Sequence, residues 1–188
     1  MKQAFFLNRF ILVLLSGIAI LSACKKNDPN PVPESEKVEV TTAVLLLVPD
    51  GKGQNASATW RDLDGPGGQD PVMENLILKA NTTYRGTLKF LNESNQNALE
   101  DLTVKIRNTG HDREVFYVVD GASLTFTKTD LDRNNRPLGL ETSATTTSPG
   151  AGSLRVVLKH QPGLKRGNST IDTGETDVDM VFPVVIQD

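Results

Sequence analysis

Asp130, Asp132, Asn134 and Glu141 place side-chain oxygens at positions one, three, five and twelve of DLDRNNRPLGLE. That is the ligand spacing of an EF-hand calcium loop, where alternate oxygens converge as the backbone curls. Position six of such a loop needs a positive φ. Asn135 stands there, the residue that tolerates this conformation best after glycine. Pro137 occupies the ordinarily apolar position eight, and both flanks are strand-like instead of helical, so an EF-hand proper is not expected. Two readings stay open: a loop that holds calcium, and a hairpin turn in which Asp, Asn and Pro only bend the chain.

A second acidic stretch, WRDLDGPGGQDP, offers Asp62, Asp64 and Asp70, with Gly65, Gly67 and Gly68 for tight curvature. Pro66 and Met73 stand where its fifth and twelfth oxygens belong. The two loops make calcium the one cofactor to test, on condition that the fold brings them to one end of the domain. Otherwise the chain calls for no cofactor.

Catalytic sets are missing from the sequence. His111 and His160 are the only histidines, far apart and in polar stretches expected to be exposed. No H-E-x-x-H, G-x-S-x-G or phosphate-binding Gly-Lys motif occurs. A carboxylate pair such as Asp62 with Asp132 is the residual hydrolase reading, but glycosidase clefts are lined with aromatics and these make up 5% of the chain. No catalytic residue is therefore assigned. Trp60, the sole tryptophan, could stack on a sugar. Ala56 and Ala58 share its strand face, which favours a core position. The basic run KHQPGLKRG, Lys159 to Gly167, reads as a solvated hairpin that could meet an anionic partner.

The elements that must position these residues follow a leader. Lys2 and Arg9 precede an apolar run from Phe10 to Ile20, and Leu21-Ser22-Ala23-Cys24 closes it. The uncharged stretch from Phe10 to Ala23 is shorter than the ~18 residues a spanning helix needs. The closing tetrapeptide resembles the lipobox of bacterial lipoproteins. That resemblance implies cleavage after Ala23 and acylation of Cys24, with more acyl chains than stable anchoring requires. The same resemblance, with Lys25 in place of Asp, implies the outer membrane of a Gram-negative cell, on its periplasmic or cell-surface face. Cys24 is the only cysteine, so once acylated it leaves no thiol for disulfides, metal sites or nucleophilic catalysis. Removing residues 1–23 leaves 165 of the 188 residues, enough for one core. It also takes away two basic residues, so the net charge of −3 becomes −5. An acidic chain of this kind is not expected to bind nucleic acid. KKNDPNPVPESEK then reads as a Pro-rich disordered tether.

Beyond it, period-two patterns dominate. SLRVVLK sets Leu154, Val156 and Leu158 against Arg155 and Lys159, and SLTFTKT and TYRGTLKF alternate in the same way. TDVDMVFPVVI aligns Val178, Met180, Phe182, Val184 and Ile186, while Pro183 suggests an edge or a bulge. Further strands are expected at Val38 to Val48, Ser57 to Arg61, Met73 to Lys79, Glu114 to Val119 and Leu140 to Thr147. NALEDLTVKIRNTG carries helical spacing at Leu99, Leu102 and Ile106, with Gly110 as a left-handed stop. The same letters alternate as a strand through Leu102, Val104 and Ile106; acidic Glu100 and Asp101 early and basic Lys105 and Arg107 late favour the short helix. The expected fold is all-β, an antiparallel β-sandwich of about eight to nine strands with at most one short helix. Residues 1–23 are the leader, 24–37 the acylated tether and 38–188 the sandwich.

ATWRDLDGPGG, LKANTTYRGTLKFLNES, DLDRNNRPLGLET and LKHQPGLKRG resemble strings in a group of small lipoproteins of Gram-negative bacteria. The likeness runs over nearly the whole chain after the leader. It implies an exported all-β domain of immunoglobulin or transthyretin type, with glycine where this chain has Asn135. It assigns no catalytic residues. The expected function is a non-enzymatic, membrane-anchored module that presents loops to a protein or glycan partner. A calcium or small-ligand binder is the alternative.

Overall fold

The computed structural model describes residues 37–95 and 98–188, so the leader, Cys24 and nearly all of the tether lie outside the described residues. Strand β1 (Thr42–Pro49) pairs antiparallel with β2 (Ala56–Arg61) and with β5 (Thr83–Asn92). Beyond β5 come β9 (Glu141–Thr146) and β8 (Leu124–Lys128). The two-residue strands β3 (Val72–Met73) and β6 (Glu100–Asp101) pair with β2 and β5. The second sheet has the order β4 (Leu76–Lys79), β11 (Glu175–Gln187), β10 (Gly150–His160), β7 (Arg113–Asp120). A seven-stranded and a four-stranded sheet thus form a sandwich-like all-β domain. Eleven strands among the described residues exceed the expected number. The extra ones are the two-residue strands β3 and β6, too short to show an alternation of their own, whereas β4 is the end of the strand expected at Met73 to Lys79.

The alternation places the core. Leu154, Val156 and Leu158 of β10, and Met180, Phe182, Val184 and Ile186 of β11, are buried in one cluster with Leu45, Leu47, Leu88 and Phe90 of the other sheet. Each such side chain contributes ~1.5–3 kcal/mol on burial, so these faces hold the sheets together. Where the sheets meet at β7 and β8, Tyr117 stacks on Phe126 with centroids 4.8 Å apart. Lys128 of β8 lies over the Phe116 ring and pairs with Glu114 of β7. Burial pushes the Glu114 carboxyl up and the Lys128 ammonium down, each against the pull of the other.

One segment changes sheets. Val72 to Glu74 runs antiparallel to β2, then β4 leaves it and joins β11, in parallel, over Val184 to Gln187. The second sheet is therefore mixed and not wholly antiparallel, because the chain turns a corner between sheets instead of returning by a hairpin. Pro183 follows from the same geometry. β11 is an interior strand, yet β4 begins pairing only at Val184. Gln187 accepts from Ala80 of the β4 segment, and the strand alternation aims Pro183 to that same, locally open flank. Its missing N–H leaves the β10 ladder intact.

The single α-helix among the described residues, α1 (Thr103–Asn108), buries Ile106. Leu102 precedes it and is also buried, while Leu99 is exposed. Asp101 Oδ1 accepts from the Thr103 amide at 2.8 Å. Gly110 is not the left-handed stop. It opens a 3-10 turn, Gly110–Asp112, and a Cβ there would crowd the Leu138 methyls at 3.2 Å.

Candidate functional site

The Asp130 stretch forms a loop bounded by an isolated bridge between Leu131 and Pro137. Its turn needs Asn135 at φ +57°, the conformation that the spacing required at position six. Buried Leu138 and Leu140 anchor the return limb. Asp130 is buried, and its two carboxylate oxygens accept from the amides of Gly139 (2.7 Å) and Leu140 (3.1 Å). Asp132 Oδ1 accepts from the amides of Asn134 (2.7 Å) and Arg136 (3.0 Å), which closes the turn. Glu141 turns to Arg107, 3.0 Å away, and the Asn134 side chain lies in an exposed residue. The four spaced oxygens therefore do not converge on a common point. Those of Asp130, Asp132 and Glu141 are directed to the chain's own donors.

A cation does sit at this loop, and it is Lys165. Its ammonium is 2.9 Å from Asp132 Oδ2 and donates to the carbonyls of Gly110 and Arg113, both at 2.7 Å. An ammonium has three protons, and three oxygens surround this one. Burial pushes the Asp132 carboxyl up, but the amides of Arg136 and Asn134 and the Lys165 charge pull it further down, so its pKa lies below the ordinary aspartate value. Arg136 also donates to the Lys165 carbonyl. The run KHQPGLKRG is thus no solvated hairpin. Lys159, His160, Gln161 and Lys165 are all buried, with Lys165 directed inward by a turn in which the Leu164 and Lys165 amides donate to Gln161 O. Neither histidine is exposed as expected. His160 is buried, and the His111 side chain is largely covered, 3.1 Å from Asp112.

A second buried pair lies at the same end of β7. The side chains of Arg113 and Asp177 are fully covered, 3.3 Å apart. The register of β10 on β11 shifts between Leu158 and Lys159, so Asp177 is the extra residue of a bulge and turns inward where a regular strand would turn it out. Burial pushes the Asp177 carboxyl up, opposed by the charges of Arg113 and His160.

The Asp62 stretch is a separate structure. Asp62 Oδ1 accepts from Gly65 N and Asp64 Oδ2 from Gln69 N, both at 2.9 Å, and Asp70 is exposed. Among the described residues no three Asp, Glu, His or Cys side chains are grouped to hold a metal ion. What this loop does form is one wall of a cleft of about 630 Å³. Val38, Val40, Trp60, Pro66 and Pro71 line it, with Asp62 and the β11 segment Thr176 to Asp179. Trp60 is 5% exposed, packed in the core beside Ala56 and Ala58. Only a margin of its ring is available to the cleft, which leaves no open face for sugar stacking. The cleft joins residues more than a hundred positions apart, a juxtaposition that nothing in the sequence signals.

Compared with protein-family models, curated proteins and solved structures, the chain matches none.

Proposed function

We propose that this chain is a non-enzymatic, lipid-anchored binding module, exported and held at the outer membrane of a Gram-negative cell through Cys24, as in the lipoproteins it resembles. Its ligand site is the Trp60–Asp62 cleft. The observation that carries this reading is the cleft's composition: apolar walls of Val38, Val40, Pro66 and Pro71, with charged groups at Lys37, Glu39, Asp62, Asp177 and Asp179 around them. Apolar walls with a few oriented polar groups are the usual make-up of a ligand pocket, and a volume of about 630 Å³ suits a small molecule or a short segment. The fitting ligand has an apolar body and a group that donates hydrogen bonds to Asp62. Calcium binding at Asp130 is the weaker reading, because Lys165 already lies against Asp132.

The sole tryptophan is a built-in reporter. Titration of the full chain with a panel of apolar amines and hydroxylated small molecules should reveal at least one that shifts Trp60 emission saturably, and Asp62→Ala should weaken it. Ligands that bind by calorimetry without moving the emission, or that ignore Asp62→Ala, would place the site elsewhere. Fatty-acid labelling tests the anchor separately. Label should be lost in Cys24→Ser, and equal label in both proteins refutes the lipid assignment.

A further inference from the structure

The contact between Lys165 and Asp132 has the parts of an acyl-transfer site. Lys165 Nζ donates to the carbonyls of Gly110 and Arg113, both at 2.7 Å, and lies 2.9 Å from Asp132 Oδ2. A neutral lysine amine has two N–H groups and one lone pair. With both N–H groups held by these carbonyls, the lone pair is what remains for the carboxyl beside it. The two oxygens of that carboxyl are held differently. Oδ1 accepts from the amides of Asn134 and Arg136, at 2.7 and 3.0 Å, and two fixed amides are also what stabilises an oxyanion. Oδ2 is buried and accepts no hydrogen bond, in spite of the amine beside it. Nucleophile, oxyanion donors and leaving oxygen therefore surround one carbon, Asp132 Cγ.

A proton carrier is close as well. Glu114 follows Arg113, whose carbonyl holds the Lys165 amine, and the charges of both Lys165 and Asp132 act on it. One of its oxygens pairs with Lys128, while Oε2 is buried with no hydrogen-bond partner.

We propose that Lys165 and Asp132 join spontaneously in an isopeptide bond, which ties the Asp130 loop to the turn after β10. A proton passes from Nζ to Oδ2, giving a neutral amine and a carboxylic acid. Nζ then attacks Cγ, and the negative charge of the tetrahedral adduct rests on Oδ1 between its two amides. Glu114 takes a second proton from the nitrogen and returns it to Oδ2. The Cγ–Oδ2 bond breaks, one water leaves and the amide remains, with no oxidant or co-substrate consumed. The first transfer is uphill. Burial pushes the Asp132 carboxyl up, but the Arg136 and Asn134 amides and the Lys165 charge pull it further down, so the neutral pair is a minor species and the link accumulates slowly. Until it forms, the ion pair is the state whose energetics unfolding measures. The bond closes the chain across β9 and β10. A disulfide would constrain the unfolded state in the same way, but the sole cysteine, Cys24, cannot form one within the chain.

A tryptic map of the full chain, purified in detergent and sampled as the folded protein ages, tests this. The peptide of residues 129–133 should appear joined to that of residues 160–166, one water lighter than their sum, because trypsin does not cut after an acylated lysine. The joined species should be absent from Asp132→Ala, from Lys165→Arg and from chain aged in urea. Glu114→Gln should slow its appearance by about a hundredfold, with Trp60 emission reporting that the fold is kept. If that variant does not fold, the wild-type map still decides. Aged wild type that yields only the separate peptides, or a joined species that forms equally in urea, overturns the proposal, and an unchanged rate in folded Glu114→Gln overturns the proton relay.

Discussion

Replacing Lys165 with methionine is expected to destabilise the domain by about 3–5 kcal/mol, the cost of leaving one partner of a buried ion pair uncompensated. Methionine keeps most of the volume, so the effect reports the loss of the ammonium rather than of packing. Asp132 would remain buried without its cation, and the carbonyls of Gly110 and Arg113 would each lose a donor. For a domain of this size the melting temperature should fall by roughly 10 °C. The pH dependence carries a definite sign. Because the folded Asp132 pKa lies below its unfolded value, its contribution is present above the unfolded pKa and disappears as pH falls through the folded one. The gap between wild type and Lys165→Met should therefore narrow in acid, once Asp132 can take up a proton. Asp132→Asn combined with Lys165→Met should recover part of the loss at neutral pH. Urea unfolding at two pH values measures all of these.

Arg113→Met should produce a loss of the same order, about 3–5 kcal/mol, by exposing the other half of the buried network. The Arg113 guanidinium holds Asp177 and donates to Thr109 Oγ1. Without it the Asp177 carboxylate, fully covered and with one oxygen already lacking a hydrogen bond, keeps only the influence of His160 and Lys37. Asp177→Asn should cost less. Burial already pushes that carboxyl up, so a neutral group there relieves a desolvation that the charged one endures. Equal losses in the two variants, measured by urea unfolding, would show that Arg113 acts by packing alone.

The long strands were legible because each has one face in the core. Leu154, Val156 and Leu158, or Val178, Met180 and Phe182, repeat with the period of the pleat, and their burial is as the alternation requires. The sheet change after Glu74 was not legible, since Met73 to Lys79 reads as one run and nothing local marks where its partner changes. The Asp130 loop was half legible. Its curl and the positive φ of Asn135 followed from residue type, but the identity of its cation did not. Lys165 lies 33 positions beyond Asp132 in a stretch whose charge reads as solvated surface. Only the fold shows that its ammonium lies against Asp132 and donates to the carbonyls of Gly110 and Arg113. Asp177 was hidden for a similar reason: a bulge changes the facing of one residue, and the average alternation cannot reveal it.

Lys165 serves as the cation of the Asp130 loop, and thermal melting of the wild-type chain in millimolar calcium and in chelator tests this most directly. A folded-state calcium site occupied at a hundredfold excess over its Kd would add about 2.7 kcal/mol. With Lys165 in place, the two melting temperatures should coincide. A rise of several degrees in calcium that Asp132→Asn abolishes would contradict the account and restore the calcium loop.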